Sequence, residues 1–209
     1  MKRISLMFLP FLLLLAGAFA SCEEVEEVGK YDNWRERNEA FADSLKNLTG
    51  ANYVITAEQA DAMELGKLYA IQTTAGTTAS NQYIYCKKLV KNETGERPMY
   101  TGYHSTVSTF YHGTLITGDE FDGNFDGYGA LDTHIPLDAL KGPTAFDSPI
   151  SFGVSGVITG WIAALQLMRT GERWMVYIPW QSAYGASGQD DILGYSALTF
   201  DLVLESIVE

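Results

Sequence analysis

The first helical pattern in the chain lies near its N-terminus, over residues 31–48. Its large apolar side chains recur at spacings that place them on one helical face, and they are Trp34, Phe41, Leu45 and Leu48. Gly50 is a typical stop signal for such a helix. A capping-box pattern at Thr56 and Gln59 predicts a second short helix that ends near Gly66. The pattern leaves open whether these helices cover the rest of the same chain or pack against a second copy.

From residue 83 onward the hydrophobic pattern changes to that of β-strands. Runs rich in β-forming residues cover residues 83–89 and 106–115. Two later segments carry large apolar side chains at every second position, namely Trp174, Val176 and Ile178, and then Leu198, Phe200, Leu202 and Leu204. Residues 118–151 are rich in Gly, Pro and Asp and have little periodicity, which predicts a long loop. A loop of this length in a compact domain is usually functional or an insertion.

One more helix is predicted inside the strand-rich part, over residues 159–171. Trp161, Leu165 and Met168 share one face of it, and Gly171 is a C-cap signal. Strands on both sides of one short helix indicate an α+β domain in which a sheet wraps around a single helix.

Residues 1–21 have the features of a secretory signal peptide. Two basic residues precede a short apolar run, and small residues follow it directly before Cys22. The run contains Pro10 and is marginal in length for a membrane-spanning helix, which is the alternative interpretation. Residues 19–22, Phe-Ala-Ser-Cys, resemble the bacterial lipobox, in which the Cys becomes the lipidated N-terminus. Ordinary cleavage with Cys22 incidental is the alternative to the lipidation that we expect, in which the acyl chains would anchor the protein stably.

The chain is strongly acidic, and this excludes one class of partner. It has 14 Lys and Arg against 26 Asp and Glu, a formal net charge of −12 and a pI of about 4.6. Such a chain is a poor nucleic-acid binder, because the neutralisation of phosphates needs clustered Lys and Arg. Part of the charge lies in a Glu-rich run that predicts a solvated tether over residues 22–30. The run also resembles the acidic export signal of some surface lipoproteins.

Metal sites and catalytic nucleophiles are poorly supported by the sequence. The three histidines lack the ligand spacing of a zinc site. Residues 122–127 match the first half of a calcium loop, but the position that needs a bidentate Glu is Thr133, so an Asp/Gly-rich turn is preferred. Ser155 and Ser187 do not lie in a G-x-S-x-G pattern. Cys86 lies on an apolar strand and is predicted to be buried core. We therefore expect no metal and no cofactor.

Four motifs occur in a fixed order within residues 82–209. Residues 111–122 read Y-H-G-T-L-I-T-G-D-E-F-D, and residues 157–172 read V-I-T-G-W-I-A-A-L-Q-L-M-R-T-G-E. Residues 178–185 then read I-P-W-Q-S-A-Y-G, and residues 197–204 read A-L-T-F-D-L-V-L. Together they resemble the signature of the FK506-binding-protein (FKBP) type of peptidyl-prolyl cis-trans isomerase. Four ordered motifs are more specific than any single short one.

The resemblance implies a twisted antiparallel β-sheet wrapped around one short α-helix, with an N-terminal helical extension. The chain then divides into a signal peptide (1–21), an acidic tether (22–30), the helical extension (31–81) and an isomerase domain (82–209). The active site of the family is an aromatic pocket with a Trp at its floor. Carried over by position, its residues are Tyr111, Phe121, Asp122, Phe152, Val157, Ile158, Trp161, Tyr184, Ile192 and Phe200.

The chain departs from the family pattern through an insertion. It covers about residues 123–150 and separates the Phe-Asp pair at 121–122 from Phe152. A second Phe-Asp pair at 146–147 lies inside it and competes for the same role. We favour the first pair, because it keeps its spacing from Tyr111.

The implied function is isomerisation of X-Pro bonds in exported client proteins, which would assist their folding in the cell envelope. The partners are then proline-containing client segments, together with the bacterial outer membrane, at its periplasmic face or the cell surface, through a lipid on Cys22. The alternative is a non-catalytic module that keeps the fold and grips extended peptides or joins a lipoprotein complex. The insertion, and the loss of the usual Pro-Pro after Ile192, favour that alternative. Extensions of some secreted relatives dimerise, so a homodimer through residues 31–65 is a further expectation.

Overall fold

The computed structural model describes residues 29–73, 82–102 and 104–208. They belong to two units, of which the first, residues 1–32, is described over 29–32. There the Gly29 N–H donates to the Asp32 carboxylate at 2.6 Å. The second unit begins at Asn33 and contains the helices and strands. The predicted signal peptide, Cys22 and most of the tether lie outside the described residues.

The described residues of the second unit form α-helices, single 3-10 turns and strands. The helices are α1 (Trp34–Thr49), α2 (Ala57–Asp61) and α3 (Thr159–Leu165), with 3-10 turns at Val154–Gly156 and Trp180–Ser182. The strands are β1 (Tyr53–Val54), β2 (Leu68–Thr73), β3 (Gln82–Val90), β4 (Thr106–Leu115), β5 (Glu120–Gly123), β6 (Ile150–Gly153), β7 (Arg173–Ile178), β8 (Gly188–Gln189), β9 (Ile192–Leu193) and β10 (Leu198–Val208). Thr56 and Gln59 form the reciprocal capping-box bonds at the start of α2. Across the described ranges, no helix has the length and apolar character needed to cross a bilayer.

One sheet organises the unit, and its strands run in the order β1-β2-β3-β7-β10-β4-β5, with β6 paired to β4. β8 and β9 form a separate hairpin. The pairs are antiparallel except for β1 and β2, which are parallel. Parallel neighbours need a crossover connection, and the segment with α2 supplies it. The α+β class is confirmed, and the sheet is mixed at this one pair rather than wholly antiparallel.

The face of the sheet that packs against α3 is called here the inner face. On β10 every second side chain points to it, and these side chains are Leu198, Phe200, Leu202 and Leu204. They join Trp161, Leu165 and Met168 in one hydrophobic core. Cys86 is fully buried in the same core, and burial raises the pKa of its thiol, so the prediction of a buried core cysteine is confirmed.

The predicted helical extension also contains strands. β1 lies within it, and β2 pairs along its whole length with β3, so the prediction of a helical extension over 31–81 is wrong for residues 53–54 and 68–73. Its consecutive residues Ala70 and Ile71 are each only 2% exposed. A strand that is buried on both faces loses the alternation of apolar and polar residues by which it is recognised.

α1 packs on the opposite, outer face of the sheet. Leu45 joins Tyr85 and Tyr177 there in a second hydrophobic cluster, whereas Trp34, at the start of α1, is buried in the inner core. Leu48, the last apolar position of the predicted face, is 75% exposed. Most of the apolar face of α1 is therefore covered by its own chain.

The insertion also packs on the outer face. Its central part, residues 124–149, contains neither helix nor strand, whereas β5 and β6 form at its two ends. The Arg173 guanidinium bonds both carboxylate oxygens of Asp201, at 2.8 and 2.5 Å, and donates to the carbonyls of residues 141–142 at 2.8 and 2.7 Å. The Tyr128 N–H donates to the same carboxylate at 2.9 Å. This arrangement, called here the Arg173–Asp201 clamp, fixes the insertion to the sheet.

Candidate active site

A cavity of about 230 Å³ lies on the inner face, at the N-terminal end of α3. Side chains from β4, β5, β6, α3 and β10 meet there, together with residues of the turns before and after these elements. Its lining residues are Tyr111, Phe121, Asp122, Phe152, Gly156, Val157, Ile158, Trp161, Tyr184, Gln189 and Phe200.

Trp161 is the centre of the cavity wall. Its ring lies 5.3 Å from Tyr111, 5.6 Å from Phe152 and 5.2 Å from Phe200 between centroids, with interplanar angles of 80–83°. Edge-to-face pairs of this kind are favourable beyond the apolar area that they bury. Trp161 is 4% exposed, and its Nε1 has no hydrogen-bond partner among the described residues. The result is a rigid aromatic surface with few polar atoms.

Two glycines allow this packing. A Cβ on Gly160 would lie 2.5 Å from a side-chain carbon of Ile178, so its absence lets α3 approach β7 closely. A Cβ on Gly113 would lie 2.8 Å from the ring of Phe121 and 2.9 Å from that of Phe200. The two rings pack edge to face at 5.5 Å over this gap in β4.

The polar part of the cavity is a tyrosine–carboxylate pair. The Tyr111 hydroxyl donates to Asp122 at 2.9 Å, and the Gly123 N–H donates to the other carboxylate oxygen at 2.9 Å. Burial, followed by the bond to Asp122, raises the pKa of Tyr111 well above its usual range. Burial also raises the pKa of Tyr184, with a further contribution from the negative charges of Asp122 and Asp190. Both hydroxyls are therefore protonated at neutral pH and can donate hydrogen bonds.

The partial calcium motif serves to join the insertion to the site. Asn124 Oδ1 accepts from the Tyr111 N–H at 2.7 Å, and its Nδ2 donates to the carbonyls of Thr109 and Ser148 at 3.1 Å. Asn124 thus ties both ends of the insertion to β4. Asp126 points to Lys141, at 3.4 Å. In the described part of the chain, no group of three or more His, Cys, Asp or Glu residues is arranged to hold a metal ion.

A segment called here the flap, residues 185–197, borders the cavity and is held from behind by α1. The Trp34 Nε1–H donates to Ser196 Oγ at 3.0 Å, and that hydroxyl donates to the Leu193 carbonyl at 2.7 Å. Asn38 Oδ1 accepts from the Ala197 N–H at 2.7 Å. The helix outside the four motifs therefore supports a border of the site.

Nine of the ten predicted pocket residues line this one cavity, and Ile192 does not. Ile192 packs against the core, while its cross-strand partner Gln189 lines the cavity. Both residues lie in the β8–β9 hairpin, which the sequence pattern did not reveal. Gly156 also lines the cavity and was not predicted, because a glycine has no side chain that would indicate a role in a pocket. Phe146, the competing Phe, is 98% exposed and away from the cavity lining.

Comparison with known proteins gives one consistent family. A family model described as FKBP-type peptidyl-prolyl cis-trans isomerase matches residues 101–205. The macrophage infectivity potentiator of Trypanosoma cruzi is 45% identical over 75 residues, which are 32% of this chain and 38% of that protein. The FKBP-type peptidyl-prolyl cis-trans isomerase FkpA of Escherichia coli is 32% identical over 127 residues, 61% of this chain and 38% of that protein. The outer membrane protein MIP of Legionella longbeachae is 36% identical over 98 residues, 47% of this chain and 33% of that protein.

Solved structures show the same fold. A peptidyl-prolyl cis-trans isomerase from Pseudomonas syringae matches with a TM-score of 0.53 and 22% identity, covering 87% of this chain and 98% of that one. Escherichia coli FkpA matches with a TM-score of 0.52 and 24% identity, covering 85% and 62%. At this identity the likeness extends to the fold alone. The chain spans 38% of the length of the first two curated relatives, so the activities of those whole proteins are not carried over by the match itself.

Proposed function

The chain belongs to the FKBP-type peptidyl-prolyl cis-trans isomerase family, and from this premise we propose that its inner-face pocket isomerises X-Pro bonds of exported proteins. The observation that carries the proposal is the aromatic enclosure of Trp161 with a single polar pair, Tyr111 and Asp122, beside it. No nucleophile is needed, because the reaction rotates a bond without breaking one.

The pocket suits the transition state of this rotation. An X-Pro bond isomerises in tens to hundreds of seconds unaided, because twisting the amide removes its resonance. A twisted amide has a less polar carbonyl than a planar one, so an apolar aromatic surface favours it over the ground state. Catalysis then follows from tighter binding of the transition state than of the substrate.

Each side chain has a place in this proposal. Trp161 is the floor beneath the proline ring, and the walls are Phe121, Phe152 and Phe200. The Ile158 N–H donates to a substrate carbonyl, since an N-cap N–H has no partner within its helix. The Tyr184 hydroxyl donates to a second carbonyl. The Tyr111–Asp122 pair shapes the surroundings of the twisted carbonyl.

The direct test is cis–trans exchange of a short X-Pro peptide, followed by NMR. We expect exchange above the uncatalysed rate, and a fall in kcat/KM of about tenfold or more, or ~1.4 kcal/mol, in Trp161→Ala and Asp122→Ala. Trp161→Ala also removes packing worth about 3–5 kcal/mol, so its folded fraction must be measured by circular dichroism. The matched control is Tyr177→Phe on the outer face. Unchanged rates in both folded pocket variants would remove the site assignment, and uncatalysed exchange in the wild type would favour the non-catalytic peptide-binding module.

The location is part of the proposal. We infer an exported lipoprotein of the outer membrane, anchored through Cys22 after removal of residues 1–21. Its support is the lipobox-like sequence, together with the likeness to the outer membrane protein MIP of Legionella longbeachae. Radiolabelled palmitate should enter the wild type and not Cys22→Ala, and equal labelling would exclude this anchor.

A homodimer through residues 31–65 stays a prediction. Its support is the exposure of Leu48 and Ile55, at 75% and 73%, beside an α1 face that its own chain otherwise covers. Sedimentation of the mature chain tests it, since Leu48→Glu should shift a dimer to a monomer. A monomeric wild type leaves α1 as a local support of the flap.

A further inference from the structure

A second and larger cavity, of about 600 Å³, lies between α1 and the sheet. Tyr85, which belongs to the outer hydrophobic cluster, forms part of its wall, whereas the aromatic residues of the isomerase pocket pack in or against the inner core. Tyr53, Tyr83 and Trp180 add three more aromatic side chains to the wall. The four motifs and the proposed isomerase mechanism assign no role to this cavity.

The chemistry of this cavity suits a cationic side chain. The rings of Tyr53 and Tyr83 meet edge to face at 5.5 Å, and aromatic faces attract ammonium and guanidinium groups. α1 contributes the carboxylates of Glu39 and Asp43 against one amine, that of Lys46. Glu39 already forms an ion pair with Arg35 at 2.8 Å. We therefore take Asp43 as the carboxylate that would bind a cation in this cavity. A carboxylate beside aromatic rings forms a charge-assisted bond with a cation that it binds.

The second cavity is close to the isomerase pocket along the chain. Pro179, Trp180 and Gln181 line the second cavity, and Tyr184 lines the pocket. Three residues of backbone span at most about 11 Å. Between them, Ser182 is buried and its hydroxyl contacts that of Thr73 at 3.3 Å, which fixes the turn. The backbones of Gln181 and Tyr184, one at the wall of each cavity, are therefore within about 11 Å of each other, a separation that one extended client segment can bridge.

We propose that the second cavity is an accessory site for a Lys or Arg side chain of the client whose proline occupies the pocket. This inference rests on the proposed isomerase function, because it names a further feature of the same substrate. The net charge of −12 also favours basic clients, since it attracts basic segments toward the chain at low ionic strength. The favoured client is an extended segment that combines a proline with a basic residue nearby.

The test compares peptides that differ only in charge. A series carries one Arg at about three to eight residues from the proline, a reach of about 10–28 Å, and its controls carry neutral citrulline instead. NMR exchange at low salt gives kcat/KM for each peptide and for a short neutral X-Pro peptide. We expect kcat/KM to be about threefold to tenfold higher for the best Arg peptide than for its citrulline partner.

Variants of α1 separate a specific site from general attraction. Asp43→Asn should abolish most of the Arg advantage, and Lys46→Gln should increase it, while both leave the short neutral peptide unchanged. The matched control is Glu36→Gln, which makes the same charge change at an exposed position of α1 outside the cavity. Because the two cavity variants should shift the advantage in opposite directions, a simple loss of packing does not reproduce the pattern.

The outcomes also separate this inference from the isomerase proposal. Equal rates for Arg and citrulline peptides, or the same loss in Glu36→Gln as in Asp43→Asn, would overturn the accessory site and leave the isomerase intact. If the cis–trans exchange of every peptide stays at its uncatalysed rate, the isomerase proposal fails. In that case, shifts of the Asp43 and Tyr83 amide NMR signals caused by the Arg peptide, but not by the citrulline peptide, would still support the second cavity as a cation site. The absence of such shifts would overturn the accessory site as well.

Discussion

The two faces of the sheet are built by different chemistry, and neighbouring residues of β10 show it most clearly. Phe200 points to the inner face and packs edge to face on Trp161 at 5.2 Å. Asp201 points to the outer face, is fully buried and bonds Arg173 through both of its oxygens. The inner face therefore stays apolar where the proline is proposed to bind, and the outer face uses charge to hold the insertion.

The two faces meet two different requirements of one small domain, an apolar pocket and the anchoring of an irregular insertion. A pocket that favours a less polar carbonyl needs few competing polar groups, and the aromatic enclosure satisfies that need. The irregular insertion has no ladder of its own, so it depends on side-chain bonds such as those of the Arg173–Asp201 clamp. Because the side chains of a strand alternate between faces, a single strand serves both purposes.

Asp201→Asn is the largest perturbation that we expect. It leaves the buried Arg173 guanidinium without its counter-charge, and the free energy of unfolding should fall by about 3–5 kcal/mol in urea denaturation. The matched control is Thr199→Val on the same strand and face. The Thr199 hydroxyl is buried without a hydrogen-bond partner among the described residues, so its loss should be neutral or stabilising. Equal costs for the two variants would contradict the role of the clamp. A lower kcat/KM per folded Asp201→Asn molecule would show that the two faces are coupled.

Gly160→Ala should have an intermediate effect on the inner face. The new Cβ meets Ile178 at 2.5 Å, so α3 must move outward with Trp161. We expect a loss of about 1–3 kcal/mol in the free energy of unfolding, together with a lower kcat/KM. Ile178→Ala destabilises by itself, but the double variant should lose less stability than the sum of the two single losses, because the two side chains compete for one space. Gly156→Ala is the stability control, since no atom lies within 4 Å of its Cβ position. Additive losses in the double variant would argue against this clash.

Tyr111→Phe should have the smallest effect, since it removes one hydroxyl and keeps the ring. Loss of the bond to Asp122 should lower kcat/KM about fivefold, or ~1 kcal/mol. The control is Tyr128→Phe on the outer face, whose hydroxyl accepts from the Lys141 N–H at 3.1 Å. That variant should change stability without changing kcat/KM. Similar kinetic losses in both variants would remove the distinction between the faces.

The pH dependence follows from the same tyrosine. The folded pKa of Tyr111 is raised above its unfolded value of about 10, so the hydroxyl's contribution is fully present below that pH. It is lost only as pH rises through the folded pKa. Wild-type kcat/KM should therefore show no loss from Tyr111 ionisation between pH 7 and about 10, and a decline that Tyr111→Phe abolishes in this range would contradict the assignment.

Local patterns predicted much of the inner face. The alternation from Leu198 onward correctly indicated β10. The spacing of Trp161 and Leu165 correctly indicated α3, but the helix ends at Leu165, so the predicted extent to Gly171 and the helical position of Met168 are wrong. The motifs also named nine of the residues that line the pocket. Prediction was less successful where burial hides periodicity, as in β2, and where a short hairpin borders the pocket, as at Gln189 and Ile192. Neither feature leaves a local pattern that can be counted.

The sequence by itself determined the α+β class, the family motifs and the apolar side of each main strand. Only the tertiary structure decided what covers the other side of the sheet. The insertion packs there through Arg173 and Asp201, and α1 packs there with a cavity beneath it. The physical reason is the distance along the chain between the partners. Trp34 and Ser196, for example, are 162 residues apart and share one hydrogen bond. Periodicity records which face of an element is apolar, but not which distant segment will pack there.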